Sequence, residues 1–251
     1  MSGITDGTAN YGLRLATDAD DVRAAQRLRF AVFNVELGEG LPASVATGLD
    51  ADEFDAVCDH LLVCERESGA VVGTYRLQTG GAAATSGAGY YSEREFDFGP
   101  FERARGEVLE LGRACVAAEH RNQSVLGLLW RGIARYAHEH GARYLVGCSS
   151  LTSQNPAEGL AAYAQLARKH LAREEWRTLP LAVWRCEAPE ADVARCSRDG
   201  VKIPRLMTAY LAAGAVICGE PAIDREFKTI DFLTWMDLQA MPAQVLRKFA
   251  R

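Results

Sequence analysis

The sequence lacks an apolar run long enough to cross a bilayer. Its longest nearly uncharged stretch, Gln78 to Ser92, is rich in glycine and alanine, whereas a membrane-spanning helix needs about 20 mostly apolar residues. The first residues, Met-Ser-Gly-Ile-Thr-Asp-Gly, have neither the basic start nor the apolar centre of a secretion signal. We therefore expect a cytoplasmic protein.

Paired cysteines and an excess of basic residues are also missing. The seven cysteines are scattered and include no Cys-x-x-Cys pair, so they support neither a disulfide framework nor a zinc site. We expect no metal and interpret the cysteines as small buried apolar residues. The net charge of −5 argues against general nucleic-acid binding, which needs a dense basic surface. A local patch for peripheral membrane contact remains compatible with it.

Periodicity predicts a mixed α/β (α+β) fold over residues 1–251, treated as one domain with a helical or irregular elaboration at about 153–204. The first half should contain strands over 12–16, 60–66, 70–77 and 107–116, a helix from a capping box at Thr17 and Asp20 to about Phe33, and a flexible Gly/Ala-rich loop over 79–89. The second half should contain helices over 124–140, 156–175 and 205–213, a less regular segment over 176–204, and strands over 143–149, 215–218 and 230–238. This order favours a mostly antiparallel sheet with one central strand–helix–strand crossover and flanking helices.

Four short patterns carry the chemistry. In chain order they are Arg29-x-x-x-Phe33, Asp50-x-Asp52-x-x-Asp55, Gly73-x-x-Arg76-Leu77 and Glu110-x-x-Arg113. Each alone is weak, since acids in a loop are usually solvated and an arginine ending a strand usually extends to the surface. Their order is more specific. With residues 121–133 and 145–150 and the closing Gly219-Glu-Pro-Ala-Ile-Asp-x-x-Phe-x-x-x-Asp-Phe, they resemble the ornithine lipid N-acyltransferases and the related acyl-homoserine-lactone synthases of the GNAT superfamily.

The resemblance implies a GNAT-like sheet that is splayed beside its central crossover. It also implies a reaction in which the α-amine of L-ornithine attacks the thioester of a 3-hydroxyacyl chain on acyl carrier protein, giving a lyso-ornithine lipid. No cofactor is implied, because the donor brings its own phosphopantetheine arm. Two alternatives remain: the same chemistry on another amino acid, and a non-catalytic carrier- or membrane-binding protein on this scaffold.

Acyl transfer to an amine needs a route for the amine's proton. Glu110, inside an apolar strand, is the candidate base, and the alternative is a salt bridge to Arg113. Their spacing of three puts them on opposite faces unless a bulge near Gly112, which the fold implies, brings them together. Amides freed by that bulge are candidate donors to the oxyanion. Ser149, or its neighbours 148 and 150, is a candidate contact of the leaving thiolate.

Three arginines that face the core, Arg29, Arg76 and Arg113, need carboxylate partners. The aspartates at 50, 52 and 55 would supply them as bidentate pairs. We hypothesise that this network shapes the acceptor site and leaves one carboxylate to bind an ammonium group. A purely structural network is the alternative.

The donor end of the site departs from the acetyl-CoA signature (Arg/Gln)-x-x-Gly-x-(Gly/Ala). The segment here begins Arg121-Asn-Gln-Ser-Val-Leu, without the small residues that let a backbone approach a pyrophosphate. This favours a carrier-protein donor. Arg121, Arg131 and Arg135 could form a basic patch for the acidic carrier, or an ordinary solvated helix face.

Apolar side chains could contribute to the donor site as well. Phe33, Trp130, Trp176 and Trp184 would either line an acyl channel or pack in the core. The helix predicted over 156–175 would lie on a membrane surface or pack against the domain.

Overall fold

A single mixed sheet organises the chain, of which the computed structural model describes residues 5–241. Its strands are Thr5–Gly7 (β1), Tyr11–Leu15 (β2), Asp59–Glu65 (β3), Val71–Thr79 (β4), Val108–Val116 (β5), Tyr144–Leu151 (β6), Val216–Ile217 (β7), Ala222–Asp224 (β8) and Thr229–Asp237 (β9). They form a nine-stranded sheet in the order β1-β2-β3-β4-β5-β6-β9-β7, with β8 also paired to β9. Among these strands only β5 and β6 pair in parallel. The predicted mixed, mostly antiparallel fold is confirmed.

The α-helices within residues 5–241 are Ala19–Phe30 (α1), Ser44–Thr47 (α2), Gly80–Ser86 (α3), Gln123–Glu139 (α4), Pro156–His170 (α5), Glu190–Asp199 (α6) and Arg205–Ala212 (α7). None of them combines the length and hydropathy that crossing a bilayer requires. Helix α4 forms the crossover from β5 to β6. Its buried Val125, Leu128, Leu129 and Ile133 enter the core with side chains of β2, β3 and β4, and each contributes roughly 1.5–3 kcal/mol.

The pairing of β5 with β6 is short. It covers residues 108–110 of β5 and 144–146 of β6, after which β5 continues beside β4 and β6 beside β9. Gly147 lies at the fork, where an added Cβ would be 2.3 Å from the carbonyl oxygen of Leu111. Only glycine lets the strands approach this closely before they separate.

A bulge in β5 lies directly after Gly112, as the family resemblance implies. The register with β4 shifts between Thr74 and Arg76, so that Arg113 and Ala114 together oppose a single residue. Arg113 has φ 47°, in the left-handed region that non-glycine residues seldom adopt. The bulge turns this side chain toward the acidic segment 50–55, which it contacts.

Three local predictions were wrong. The segment 79–89 is not a flexible loop: three consecutive alanines favour helix α3, and Oγ1 of Thr79 accepts from the amide of Ala82 over 3.2 Å. The N-cap of α1 is Asp18, which accepts from the amides of Asp20 and Asp21, and the chain continues as a π-helix from Ala31 to Glu36. The segment 176–204 is more regular than predicted, because it contains α6.

Candidate active site

A cavity of about 330 Å³ opens at the fork of β5 and β6. Residues 111–114 form one wall and residues 147–150 face them. Many of the residues singled out from the sequence line this cavity: Phe33, Arg76, Glu110, Gly112, Arg113, Trp130 and residues 148–150. The other candidate site residues predicted from the sequence lie outside the lining of the cavity.

The carboxylate of Glu110 is buried and holds a neighbouring turn. Its Oε1 accepts from the amide of Ser92 over 2.8 Å and from Oγ of Ser92 over 2.6 Å, and its Oε2 accepts from the amide of Tyr91 over 2.7 Å. Burial raises the pKa of Glu110, and the hydrogen bonds from Ser92 and Tyr91 oppose this rise. The alternative role of Glu110, a salt bridge to Arg113, does not hold, because Arg113 pairs with Asp50 and Asp52 instead.

Arg29 is fully buried and is held by two acids. Its Nη1 and Nη2 donate to Oδ1 and Oδ2 of Asp55 over 2.9 and 2.6 Å, which is a bidentate pair. Its Nε lies 3.0 Å from Oδ1 of Asp50. The core-facing position that the helical pattern assigns to Arg29 is therefore correct, and the acids are where the pattern requires them.

Arg76 and Arg113 complete the same network. Nη1 of Arg76 lies 2.5 Å from Oδ1 of Asp52 and 3.1 Å from Oδ1 of Asp55. Nη2 of Arg113 lies 2.9 Å from Oδ2 of Asp52, and its Nε lies 3.3 Å from Oδ1 of Asp50. The attraction of the arginines holds the pKa of Asp52 and of Asp55 below the ordinary value despite burial. We call these six residues the Arg–Asp network.

The Arg–Asp network is balanced, with three guanidinium groups facing three carboxylates. None of its aspartates lines the cavity. Oδ2 of Asp50 has no hydrogen-bond partner in the described chain, but Asp50 is completely buried behind the cavity wall. The geometry therefore argues against our hypothesis that an aspartate of this network binds the acceptor's ammonium group, and it favours the structural alternative.

The cavity lining also carries hydroxyl and aromatic groups. The hydroxyls of Ser149 and Thr234 lie 3.1 Å apart, and Thr234 donates to the carbonyl oxygen of Gly147 over 2.7 Å. Phe33 packs edge-on against Phe227, with ring centroids 5.4 Å apart. Because the Thr234 hydroxyl donates to Gly147, Ser149 donates to Thr234 across to β9.

The three arginines predicted to bind the carrier all have acidic partners. Arg121 lies 2.6 Å from Glu36, Arg131 lies 3.0 Å from Asp6, and Arg135 lies 2.8 Å from Glu139. All three side chains remain partly exposed. A strongly basic patch is absent at these positions, because each charge is matched by an adjacent acid.

Of the tryptophans considered for an acyl channel, Trp130 lines the cavity. Trp176 instead stacks on Trp235, with ring centroids 4.6 Å apart, and Trp184 packs against the same core cluster. Helix α5 buries an alanine-rich face and Leu166 against the fold, so its apolar side is not free for a membrane.

Comparison with known proteins identifies the family. Residues 28–131 match the model of the acetyltransferase (GNAT) domain. The chain is 37% identical over 240 residues to an L-ornithine N(alpha)-acyltransferase of Rhodobacter capsulatus, covering 92% of each protein. It is 32% identical to the protein of the same name in Rhizobium meliloti, covering 99% of this chain and 87% of the relative. The chain belongs to the L-ornithine N(alpha)-acyltransferase family. It is an acyltransferase, which rules against the non-catalytic alternative.

Solved structures with this fold support the architecture of the acyltransferase. The acyl-homoserine-lactone synthase LasI matches with a TM-score of 0.54 at 14% identity and 95% coverage of both chains. FeeM, an N-acyl amino acid synthase from uncultured soil microbes, matches with a TM-score of 0.55 at 13% identity, covering 93% of this chain and 95% of that one. At these identities the likeness concerns the fold.

The acyltransferase has three buried acids that our sequence analysis missed as site residues: Glu39, Glu95 and Asp231, here called the acid trio. Glu39 and Asp231 line the cavity. Burial raises the pKa of Glu39 and, more strongly, of Glu95, and it raises the pKa of Asp231 to about 6. Asp231 is the aspartate in the closing motif Phe-x-x-x-Asp-Phe, so a signal was present in the sequence although we assigned it no role.

A short polar chain connects the acid trio of the acyltransferase to Glu110. Sγ of Cys148 lies 3.5 Å from Oγ of Ser92, which donates to Glu110, and 3.9 Å from Oε2 of Glu95. The ligand atoms of Cys148, Glu95 and Asp231 all lie within 4.8 Å of one another. Burial raises the pKa of the Cys148 thiol well above its ordinary value, so Cys148 is a neutral thiol here. All seven cysteines are free.

Proposed function

We propose that this enzyme transfers a 3-hydroxyacyl chain from acyl carrier protein to the α-amine of L-ornithine, giving a lyso-ornithine lipid. The acceptor is inferred from the names of the curated relatives. The observation that carries the reaction type is the cavity at the fork of β5 and β6, with the buried carboxylate of Glu110 on its wall.

The α-amine, once uncharged, attacks the thioester carbon, and a C–N bond forms as negative charge moves to the carbonyl oxygen. Glu110 accepts the proton that the nitrogen loses, directly or through a water molecule. Collapse of the tetrahedral intermediate breaks the C–S bond, and the phosphopantetheine sulfur leaves and takes up a proton. Beyond Glu110, the edge of β5 that faces β6 pairs with no strand of the described chain. Backbone amides on this edge stabilise the oxyanion. Arg113 lines the same wall.

The start of α4 supports a carrier-protein donor over coenzyme A. Oδ1 of Asn122 accepts from the amides of Ser124 and Val125 over 3.0 and 3.1 Å. Free amides at a helix start are what a pyrophosphate binds, and here a side chain of the protein already occupies two of them. Arg121 is likewise engaged by Glu36.

We keep Arg121, Arg131 and Arg135 as the proposed carrier contacts, because exposed ion pairs are weak and can exchange partners. The double variant Arg131→Glu/Arg135→Glu tests them. A rise in KM for the acyl carrier substrate is expected. An unchanged KM places the docking site elsewhere.

We also keep the cytoplasm, with peripheral contact at the inner face of the membrane, as the proposed location. The support is the cavity rim, where Leu37 and Leu206 are 40% and 39% exposed. Exposed apolar side chains beside a site for lipid products favour contact with a bilayer. Reduced co-sedimentation of Leu37→Ser/Leu206→Ser with anionic vesicles is expected. Equal co-sedimentation of this variant and the wild type contradicts the proposal.

The decisive experiment offers the purified enzyme 3-hydroxyacyl carrier protein or the matching acyl-CoA, each with a panel of amino acids. Transfer to L-ornithine from the carrier is expected, with kcat/KM for the carrier exceeding that for acyl-CoA by about 100-fold or more. Equal use of acyl-CoA would overturn the donor, and preference for another amino acid would overturn the acceptor. No transfer to any amine would refute the reaction.

A further inference from the structure

The acid trio has no basic partner, in contrast to the Arg–Asp network. Within residues 5–241, no arginine, lysine or histidine forms an ion pair with Glu39, Glu95 or Asp231. All three side chains are more than nine-tenths buried. A buried carboxylate without a cation is costly, so this wall is suited to receive positive charge from outside the chain.

Unsatisfied oxygens are found at the same place. Oδ1 of Asp231 and Oε1 of Glu95 are buried and accept from no donor group of the described chain while both carboxyl groups are charged. When Glu95 is protonated, it shares a hydrogen bond with Asp231. Asp231 is 4% exposed and lines the cavity, so this open acceptor belongs to a residue of the cavity wall. Buried acceptors are nearly always paired in folded proteins, and an unpaired one on a cavity wall indicates that a ligand supplies the donor.

The neighbours of Asp231 determine which carboxyl carries charge. Burial raises the pKa of Asp231 and the charge of Asp224 raises it further, whereas hydrogen bonds with Ser150, Thr229 and Glu95 lower it. Burial, Asp231 and Asp224 raise the pKa of Glu95, and the charge of Arg113 opposes this rise. Burial raises the pKa of Glu95 well above its ordinary value and that of Asp231 to about 6, so the two neighbouring carboxyl groups carry at most one negative charge near neutral pH. Asp231 is the one of the two that lines the cavity and can present this charge to a ligand. Glu39 is fixed from the other side by the hydroxyl of Thr152.

We propose that Asp231, with Glu39 beside it, is the subsite that binds the side-chain ammonium of the acceptor amino acid. This deepens the proposed function and rests on it. The polar chain through Ser92 and Cys148 links this subsite to Glu110, so one small diamine can place its α-amine at Glu110 and its distal amine at Asp231. The subsite thereby selects acceptors with a second positive charge.

The test compares L-ornithine with L-norvaline, which has the same carbon skeleton and no distal amine. The wild type should prefer L-ornithine in kcat/KM by about 100-fold or more, because an unfilled buried polar site rejects the analogue that lacks the partner group. Asp231→Asn and Glu39→Gln should each reduce this preference by about 10-fold or more, mainly through KM for L-ornithine. The exposed Glu226, on the turn before β9, provides the control variant Glu226→Gln, for which the preference should not change.

Other outcomes overturn the subsite. An ornithine KM within about twofold of the wild-type value in both variants, each shown to be folded by its melting temperature, contradicts it. So does a wild type that uses L-norvaline as well as L-ornithine. Loss of transfer on EDTA treatment that zinc restores would assign Glu95, Cys148 and Asp231 to a metal instead.

Calorimetry of L-ornithine binding separates the two proposals. If no amine is acylated but L-ornithine binds the wild type and not Asp231→Asn, the reaction fails and the subsite stands. If L-ornithine is acylated and both variants bind it normally, the reaction stands and the subsite fails.

Discussion

Nη2 of Arg113 donates to Oδ2 of Asp52 over 2.9 Å, and this contact ties the bulge of β5 to the acidic segment 50–55. A left-handed non-glycine residue costs on the order of 1–3 kcal/mol, and the ion pairs of Arg113 offset that cost. The Arg–Asp network therefore holds one wall of the cavity against α1 and against the segment that follows α2.

Replacing Asp55 by Asn should lower the free energy of unfolding by about 3–5 kcal/mol, because Arg29 becomes a buried charge without its bidentate partner. Urea unfolding followed by tryptophan fluorescence measures the change. Asp20→Asn is the control, since it removes only an exposed pair with Arg23. A loss for Asp55→Asn as small as that for the control would show that the network contributes little to stability.

Replacing Ser92 by Ala should shift the acidic limb of the kcat–pH profile upward. Both the hydroxyl and the amide of Ser92 stabilise the charged form of Glu110 and lower its pKa. Loss of the hydroxyl therefore raises the pKa of Glu110, and a higher pH is needed to deprotonate it. Saturating L-ornithine keeps acceptor binding out of the profile. Ser92→Thr should restore the limb, and an acidic limb unmoved by Ser92→Ala would exclude Glu110 as the group that titrates.

The KM for L-ornithine should rise as the pH falls through about 6, the pKa of Asp231. Protonation of Asp231 removes the negative charge that faces the distal ammonium. Binding of L-ornithine therefore weakens below this pH and does not depend on Asp231 well above it. Initial rates over a pH series measure this. In Asp231→Asn the dependence should be smaller, and an identical dependence in both proteins would assign the titration to another group.

Gly147→Ala should reduce both stability and activity, because the added Cβ would lie 2.3 Å from the carbonyl oxygen of Leu111 and force the strands apart at the fork. Gly127→Ala is the matched control: its Cβ meets nothing within 4 Å, and the exchange in a helix interior should stabilise by about 0.5–1 kcal/mol. Thermal melting and a transfer assay measure both variants. Equal behaviour of the two would contradict the close approach at the fork.

The sequence predicted best what local pattern dictates. Alternation and periodicity placed seven of the nine described strands and α4 to within a few residues, but they missed the three-residue strands β1 and β8. The position of Arg29 in an apolar stripe required the acids that the structure supplies. The prediction of a loop for the Gly/Ala-rich segment was wrong because small residues suit both loops and helices. The structure shows how closely α3 packs, because a Cβ added at Gly80 would lie 2.0 Å from the carbonyl oxygen of Arg105. No local pattern reveals this contact.

Long-range contacts set the rest of the candidate site. Glu110 binds the turn at Ser92, 18 residues earlier in the chain, and no local pattern shows this. Asp231 lies in a strand of otherwise apolar appearance, and its burial beside Glu39 and Glu95 follows from the packing of three distant segments. The pairing of three arginines with three aspartates was predicted, but the sequence could not show that these aspartates lie outside the lining of the cavity.

The fork has a consequence for how the molecule moves. With β5 and β6 paired over residues 108–110 and 144–146, the sheet consists of two half-sheets joined by a narrow seam. An extended donor arm lying along the free edge of β5 would act as an added strand and would stiffen that seam. Slower hydrogen exchange of the amides at 111–114 on addition of acyl carrier protein would show that the donor arm joins the two half-sheets.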